Sequence, residues 1–166
     1  VTMDKFIGRK EELASLQELY DRKGFQMAVL FGRRRIGKTT LVNKVIEINK
    51  CKSVSFVSTE MTESELLERM GNDVLESLAP NLSGKLKFDS FDSIFDYIAE
   101  ESAEERIVFV IDEYPYLAKS CPYMNSLLQK YIDNKWKKSN LYFILLGSLV
   151  SFMREEVLGV SAPLHG

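Results

Sequence analysis

Residues 32–39 read Gly32-Arg33-Arg34-Arg35-Ile36-Gly37-Lys38-Thr39. This fits GxxxxGK[ST], the spacing of a phosphate-cradling loop. The chemistry accounts for the spacing. The chain must turn sharply and wrap its backbone N–H groups around a β-phosphate, and Gly32 and Gly37 permit the angles and the close approach. A helix starting near Gly37 points its positive end at the same phosphates. The amides of 33–38 would hold them, Lys38 would reach the β- and γ-phosphates, the Thr39 hydroxyl would ligate Mg²⁺, and Thr40 closes the set. Arg33, Arg34 and Arg35 fill the variable positions. Solvation or a local ion pair, contact with phosphate or a partner's acidic surface, and contact with nucleic acid all stay open for them.

The second chemical segment is VFVIDEYPYL at 108–117. An apolar strand there ends in Asp112-Glu113. Asp112 at the strand's carboxyl end suits an Mg²⁺ held through water, and Glu113 can polarise an attacking water. An acidic pair can also close a strand without chemistry; the phosphate loop upstream favours the functional reading. Adjacent Asp-Glu argues against a GTPase or a small-molecule kinase and favours an ATPase with its own hydrolytic base. The third segment is ILLGS at 144–148. Ser148 could touch a γ-phosphate or the attacking water, with Gly147 allowing close approach; equally, Ser after Gly is a common helix N-cap.

These residues need strands that end together. QMAVLF at 26–31, SVSFVS at 53–58, IVFVI at 107–111 and LYFILL at 141–146 read as four strands. The first, an unbroken apolar run, is expected to be buried on both faces. Between them, helices are expected at 9–22 (Leu13, Leu16, Leu19 and Tyr20 inward), 38–49 (Leu41, Val45 and Ile48), 62–79, 90–102 (Phe91, Ile94, Phe95 and Ile98) and 123–136 (Leu127, Leu128, Tyr131 and Ile132). Thr62 with Glu65 forms a capping box. Pro115 and Pro122 mark the intervening stretch as a loop. A short helix is expected over 149–158, followed by a loop-like tail. Alternating strands and helices predict a mostly parallel sheet, with ligands outside the carboxyl ends of its strands.

The chain has 166 residues, 45% apolar and 28% charged, enough for one domain with a real core. Its formal net charge of −2 and pI of about 5.6 exclude a domain that is basic as a whole, so nucleic-acid contact would need a local patch. The acidic run at 100–105 reads as a solvated helix end. Cys51, Cys121 and the single His165 form no metal-ligand cluster and read as two reduced thiols and a tail residue. No apolar run is long enough to span a bilayer. The expected location is cytoplasmic, with no membrane contact.

The order of these segments resembles the prokaryotic archaeal-type ATPase family, within the AAA-like and STAND-related P-loop ATPases. The matching pieces are FIGRKEEL at 6–13, GRRRIGKTTL at 32–41, VFVIDEYPYL at 108–117, and LLGSLVSFM followed by SAPLHG. The resemblance implies a three-layer α/β core of the additional-strand type: the strand before the phosphate loop lies beside the Gly-Ser strand, which neighbours the Asp-Glu strand. It implies ATP and Mg²⁺, hydrolysis coupled to a conformational change in a longer protein, and Phe6, Ile7 and Arg9 as a wall near the adenine. Relatives usually continue past the Pro-Leu segment, so a fifth core strand, a lid and an effector domain are expected beyond Gly166. Without that fifth strand the 26–31 strand would be a sheet edge, open to self-association or masked by helix 9–22. This fragment is then expected to bind nucleotide weakly and hydrolyse it poorly. DNA would be reached only through the further domain, and Arg154 is the candidate arginine finger. The alternative functions are a nucleotide-dependent switch or assembly module with little turnover, and the motor part of a DNA-processing or defence protein.

Overall fold

A computed structural model of the chain describes residues 5–31 and 37–148, with side chains from residue 10 onward. Helix α1 (Lys5–Asp21) leads into strand β1 (Gln26–Phe31). Then follow α2 (Lys38–Asn49), β2 (Lys52–Val57), α3 (Glu63–Leu78), α4 (Phe91–Glu101), β3 (Ile107–Asp112), α5 (Tyr114–Ser120), α6 (Met124–Asp133) and β4 (Leu141–Gly147). The sheet order is β1-β4-β3-β2 and every pairing is parallel. Strand β4 is inserted between β1 and the Asp-Glu strand β3, as the resemblance implies.

Strand periodicity divides the core into two layers. Ile107, Phe109 and Ile111 of β3 and Leu141, Phe143 and Leu145 of β4 face one cluster, with Leu66, Phe95, Leu128 and Trp136. Val108, Val110, Tyr142, Ile144 and Leu146 face the other, with Leu16, Leu41 and Val45. Helices therefore cover both faces, giving three layers. Two capping boxes start the helices on the first face. Thr62 Oγ1 accepts from Glu65 N at 3.2 Å while Glu65 Oε1 accepts from Thr62 N at 3.0 Å. Ser90 and Ser93 repeat the exchange at α4.

Arg106, just before β3, ties the opposite end of the sheet. Its Nη1 donates to Gly24 O and Asn140 O, both at 2.7 Å, and its Nη2 donates to Tyr20 O at 3.2 Å and to Arg22 O. The guanidinium lies 5.6 Å from the Tyr20 ring centroid and 6.0 Å from that of Tyr142. One side chain thus fixes the end of α1 and the entries to β1 and β4.

Four sequence expectations are corrected. Every residue of β1 is only half-buried, because β1 lies at the edge of the described sheet, although both its faces carry packed side chains. Ile48 is 54% exposed, and Val42, at 1%, takes the inward place on α2. The stretch read as a loop after Glu113 contains α5, with Pro115 in its first turn, where a missing N–H costs nothing. Helix α6 ends at Asp133, and residues Trp136–Lys138 form a separate 3₁₀ turn. The expected short helix over 149–158, the tail and Arg154 lie outside the described residues. Among the described residues, no helix is long and apolar enough to cross a membrane.

Candidate functional site

The parallel register brings the carboxyl ends of the strands to one edge. Phe31 pairs with Gly147, and Val57 with Asp112. Gly37 sits in the left-handed region at φ 77° and ψ 35° and caps α2 directly above this edge. A side chain there would be strained, so the glycine is a requirement of the turn. Lys38 and Thr39 follow in the first turn of α2. Lys38 is 8% exposed, whereas Thr39 and Thr40 are exposed.

Asp112 gathers three elements. Its Oδ2 accepts from Thr39 Oγ1 at 2.7 Å, its Oδ1 accepts from Glu113 N at 2.8 Å, and its carbonyl accepts from Ser58 N at 2.9 Å. Glu113 adopts φ 54° and ψ 43°, a left-handed conformation uncommon for a residue with a Cβ. Such a conformation costs on the order of 1 kcal/mol and persists only where the surroundings fix it. Here the fixing groups are the Asp112 carboxylate on one side and buried Tyr114 on the other, whose hydroxyl donates to Asn125 Oδ1. Burial pushes the Tyr114 phenol far above its ordinary pKa, so it stays a neutral donor. The turn carries the Glu113 side chain toward β4, where Ser148 Oγ donates to Glu113 Oε1 at 3.1 Å.

Lys38, Thr39, Asp112, Glu113 and Ser148 therefore meet at one edge, on α2 and at the ends of β3 and β4. Gly32, Arg33, Arg34, Arg35 and Ile36 lie outside the described residues. So do the side chains of Phe6, Ile7 and Arg9, whose backbone belongs to α1. The Thr39 hydroxyl and the Asp112 carboxylate are hard oxygen donors already within hydrogen-bonding distance of each other. That donor pair fits Mg²⁺, which is commonly held by one or two protein oxygens together with phosphates and water. No group of three or more His, Cys, Asp or Glu side chains that could cage a metal occurs among the described residues.

The sequence does not single out Ser58. It follows β2, is 1% exposed, and its Oγ makes no hydrogen bond among the described residues. With Val57, Thr59, Glu60, Glu113 and Tyr116 it lines a cleft of about 460 Å³.

The family model for ATPase domains predominantly from Archaea matches residues 6–166. An uncharacterized protein of Methanocaldococcus jannaschii is 30% identical over 161 residues, which are 97% of this chain and 34% of that protein. Among solved structures, the Walker-type ATPase of Pyrococcus abyssi superposes with a TM-score of 0.66 at 20% identity, over 95% of this chain and 50% of that one. The Drosophila ORC bound to DNA gives 0.65 at 21% identity, over 85% of this chain and 37% of that one. The two structural likenesses establish the fold. The chain spans about a third of its curated relative (34%) and half of the Pyrococcus structure (50%).

Proposed function

This chain belongs to the family of ATPase domains found predominantly in Archaea, and from that premise we propose that it binds Mg²⁺·ATP and hydrolyses it at the edge formed by α2, β3 and β4. The observation that carries this reading is the 2.7 Å bond from Thr39 to Asp112, which joins the glycine-loop helix to the acidic strand end. A lysine in the first turn of a helix opposes the helix dipole, and Lys38 is nearly buried there. Phosphates at the same place would give that charge its purpose.

In this reading Gly37 and the amides of 33–38 cradle the phosphates with Lys38, while Thr40 extends the first turn. Thr39 and Asp112 hold the metal, which when bound neutralises charge on the phosphate oxygens. Glu113 orients the attacking water and takes up its proton, because its carboxylate is fixed by the backbone turn and by Ser148. Ser148 is then positioned to report the γ-phosphate to Glu113. Phe6, Ile7 and Arg9 form the adenine side. The energy released drives a conformational change in the whole protein. Self-association through β1 belongs to the same proposal, since a cleft of about 360 Å³ along it, lined by Glu12, Leu16, Ala28 and Leu30 among others, leaves the strand reachable beside α1. A cytoplasmic location does too. Any DNA contact is assigned to the remainder of the whole protein, because this chain carries a net charge of −2.

The test is calorimetric titration with ATP, with and without Mg²⁺, beside steady-state phosphate release. Saturable, metal-dependent ATP binding with turnover is expected. A folded protein that binds no nucleotide would overturn the reading.

A further inference from the structure

We infer that Tyr114 and Asn125 are positioning residues for Glu113: the hydrogen bond between them braces the left-handed turn that aims the carboxylate, and so brings α6 into the hydrolytic step. This rests on the role proposed for Glu113. Three observations carry it. Glu113 holds φ 54° and ψ 43°, which a residue with a Cβ seldom adopts. The next residue, Tyr114, is fully buried in the core cluster that holds Phe143 and Leu145, and its hydroxyl donates to Asn125 Oδ1 in the first turn of α6. Helix α6 is itself anchored, because the Tyr131 hydroxyl donates to Asp96 Oδ1 on α4 at 2.8 Å.

The turn gives the bond its meaning. Left free, a residue in the left-handed region lowers its energy by rotating back to the right-handed one. That rotation would swing the Glu113 carboxylate away from Ser148, whose Oγ donates to Glu113 Oε1 at 3.1 Å. Before the turn, Asp112 Oδ1 holds Glu113 N at 2.8 Å. After it, the chain enters Tyr114, so the placing of that ring sets ψ at Glu113. Apolar packing confines the ring but is non-directional, and phenylalanine would occupy the same space. The hydroxyl adds direction: moving it off Asn125 leaves a buried polar group unsatisfied, which is costly. The ring is thereby fixed at its far end to an anchored helix, and the strained turn is held with it. The reacting atoms touch Glu113; Tyr114 and Asn125 act on them only through its backbone.

The experiment places Tyr114→Phe and Asn125→Leu, singly and together, in the protein expressed from its full reading frame, and adds Tyr114→Phe to Glu113→Gln and to Glu113→Gly. Single-turnover hydrolysis, ATP affinity and denaturant unfolding are read for each. Tyr114→Phe and Asn125→Leu should each slow hydrolysis about three- to tenfold, the worth of one hydrogen bond, with ATP affinity unchanged. Together they should be no slower than the slower single variant, since both break the same bond. In the Glu113→Gln background Tyr114→Phe should add nothing, since its effect passes through the carboxylate. Unfolding gives a readout independent of turnover. Breaking the brace lets Glu113 relax, and that relief offsets part of the lost bond; glycine at 113 has no such strain to release. Tyr114→Phe should therefore lower the unfolding midpoint further in Glu113→Gly than in the unmutated protein. Hydrolysis at the unmutated rate in Tyr114→Phe would overturn the inference. So would a further loss on top of Glu113→Gln, lowered ATP affinity in Tyr114→Phe, or equal midpoint shifts in the two backgrounds. If Glu113→Gln itself hydrolyses normally, the reading of Glu113 fails while the unfolding comparison still tests the brace, and the two failures are told apart.

Discussion

Thr39 and Asp112, 73 positions apart in the chain, are joined by a hydrogen bond of 2.7 Å from the threonine Oγ1 to the carboxylate Oδ2. One residue stands in the first turn of α2 and the other at the carboxyl end of β3. Their meeting needs the parallel order β1-β4-β3 and a sharp turn through Gly37. The bond thus joins the first turn of α2 to the acidic end of β3.

Asp112→Asn keeps an acceptor for Thr39 but removes the charge. The variant is expected to lose the Mg²⁺ dependence of ATP binding, with metal affinity lowered on the order of ten- to a hundredfold. Titration of ATP at fixed and varied Mg²⁺ measures this. Unchanged metal dependence would remove Asp112 from the site.

Lys38→Ala removes the one charge placed at the start of α2. ATP binding should be lost or severely weakened while the fold persists, because the lysine's ammonium opposes the helix dipole rather than supporting it. Calorimetry on a variant with an unmutated melting temperature checks both halves. Unchanged affinity would show that the phosphates lie elsewhere.

Arg106→Met should lower stability by about 2–3 kcal/mol, because four backbone carbonyls lose their donor and two tyrosine rings lose a cation. Denaturant unfolding measures it. A change under 0.5 kcal/mol (roughly the limit for a neutral surface substitution) would show that water replaces the guanidinium at these carbonyls.

Asp96 makes the acid limb of stability testable. Burial pushes its carboxyl up, but the hydrogen bonds from Lys135 and Tyr131, with the charges of Lys135 and Lys130, outweigh burial and hold it below its ordinary pKa. The folded pKa is depressed, so its contribution is present above the ordinary carboxylate value and is lost as pH falls through the folded value. Melting of Asp96→Asn should therefore fall less steeply than that of the unmutated protein below about pH 4. Parallel curves would show that Asp96 contributes nothing to that limb.

Much of the architecture is legible in the chain because strand and helix periods are local. Strand β1 and helix α2 have the bounds expected for them, and Thr62 with Glu65 forms the capping box that the spacing predicts. The misses have physical causes. Pro115 looks like loop punctuation, yet the first turn of α5 tolerates it. Ile48 continues the apolar stripe of α2, but Val42 turns inward in its place. Arg106 and Ser58 carry no local signal, since the carbonyls that Arg106 clasps and the burial of Ser58 exist only after the sheet has formed. The meeting of Thr39 with Asp112, and of Ser148 with Glu113, follows from motif order once the strands are parallel.

Hydrolysis at this edge is proposed to depend on Glu113. The most direct measurement is single-turnover ATP hydrolysis by Glu113→Gln in the protein expressed from its full reading frame, with ATP affinity measured alongside. Unchanged binding is expected, with hydrolysis slowed about 10²–10⁴-fold, the usual contribution of a general base or water-orienting group. Hydrolysis at the unmutated rate would contradict it and would favour a nucleotide-dependent switch whose turnover does not depend on this carboxylate.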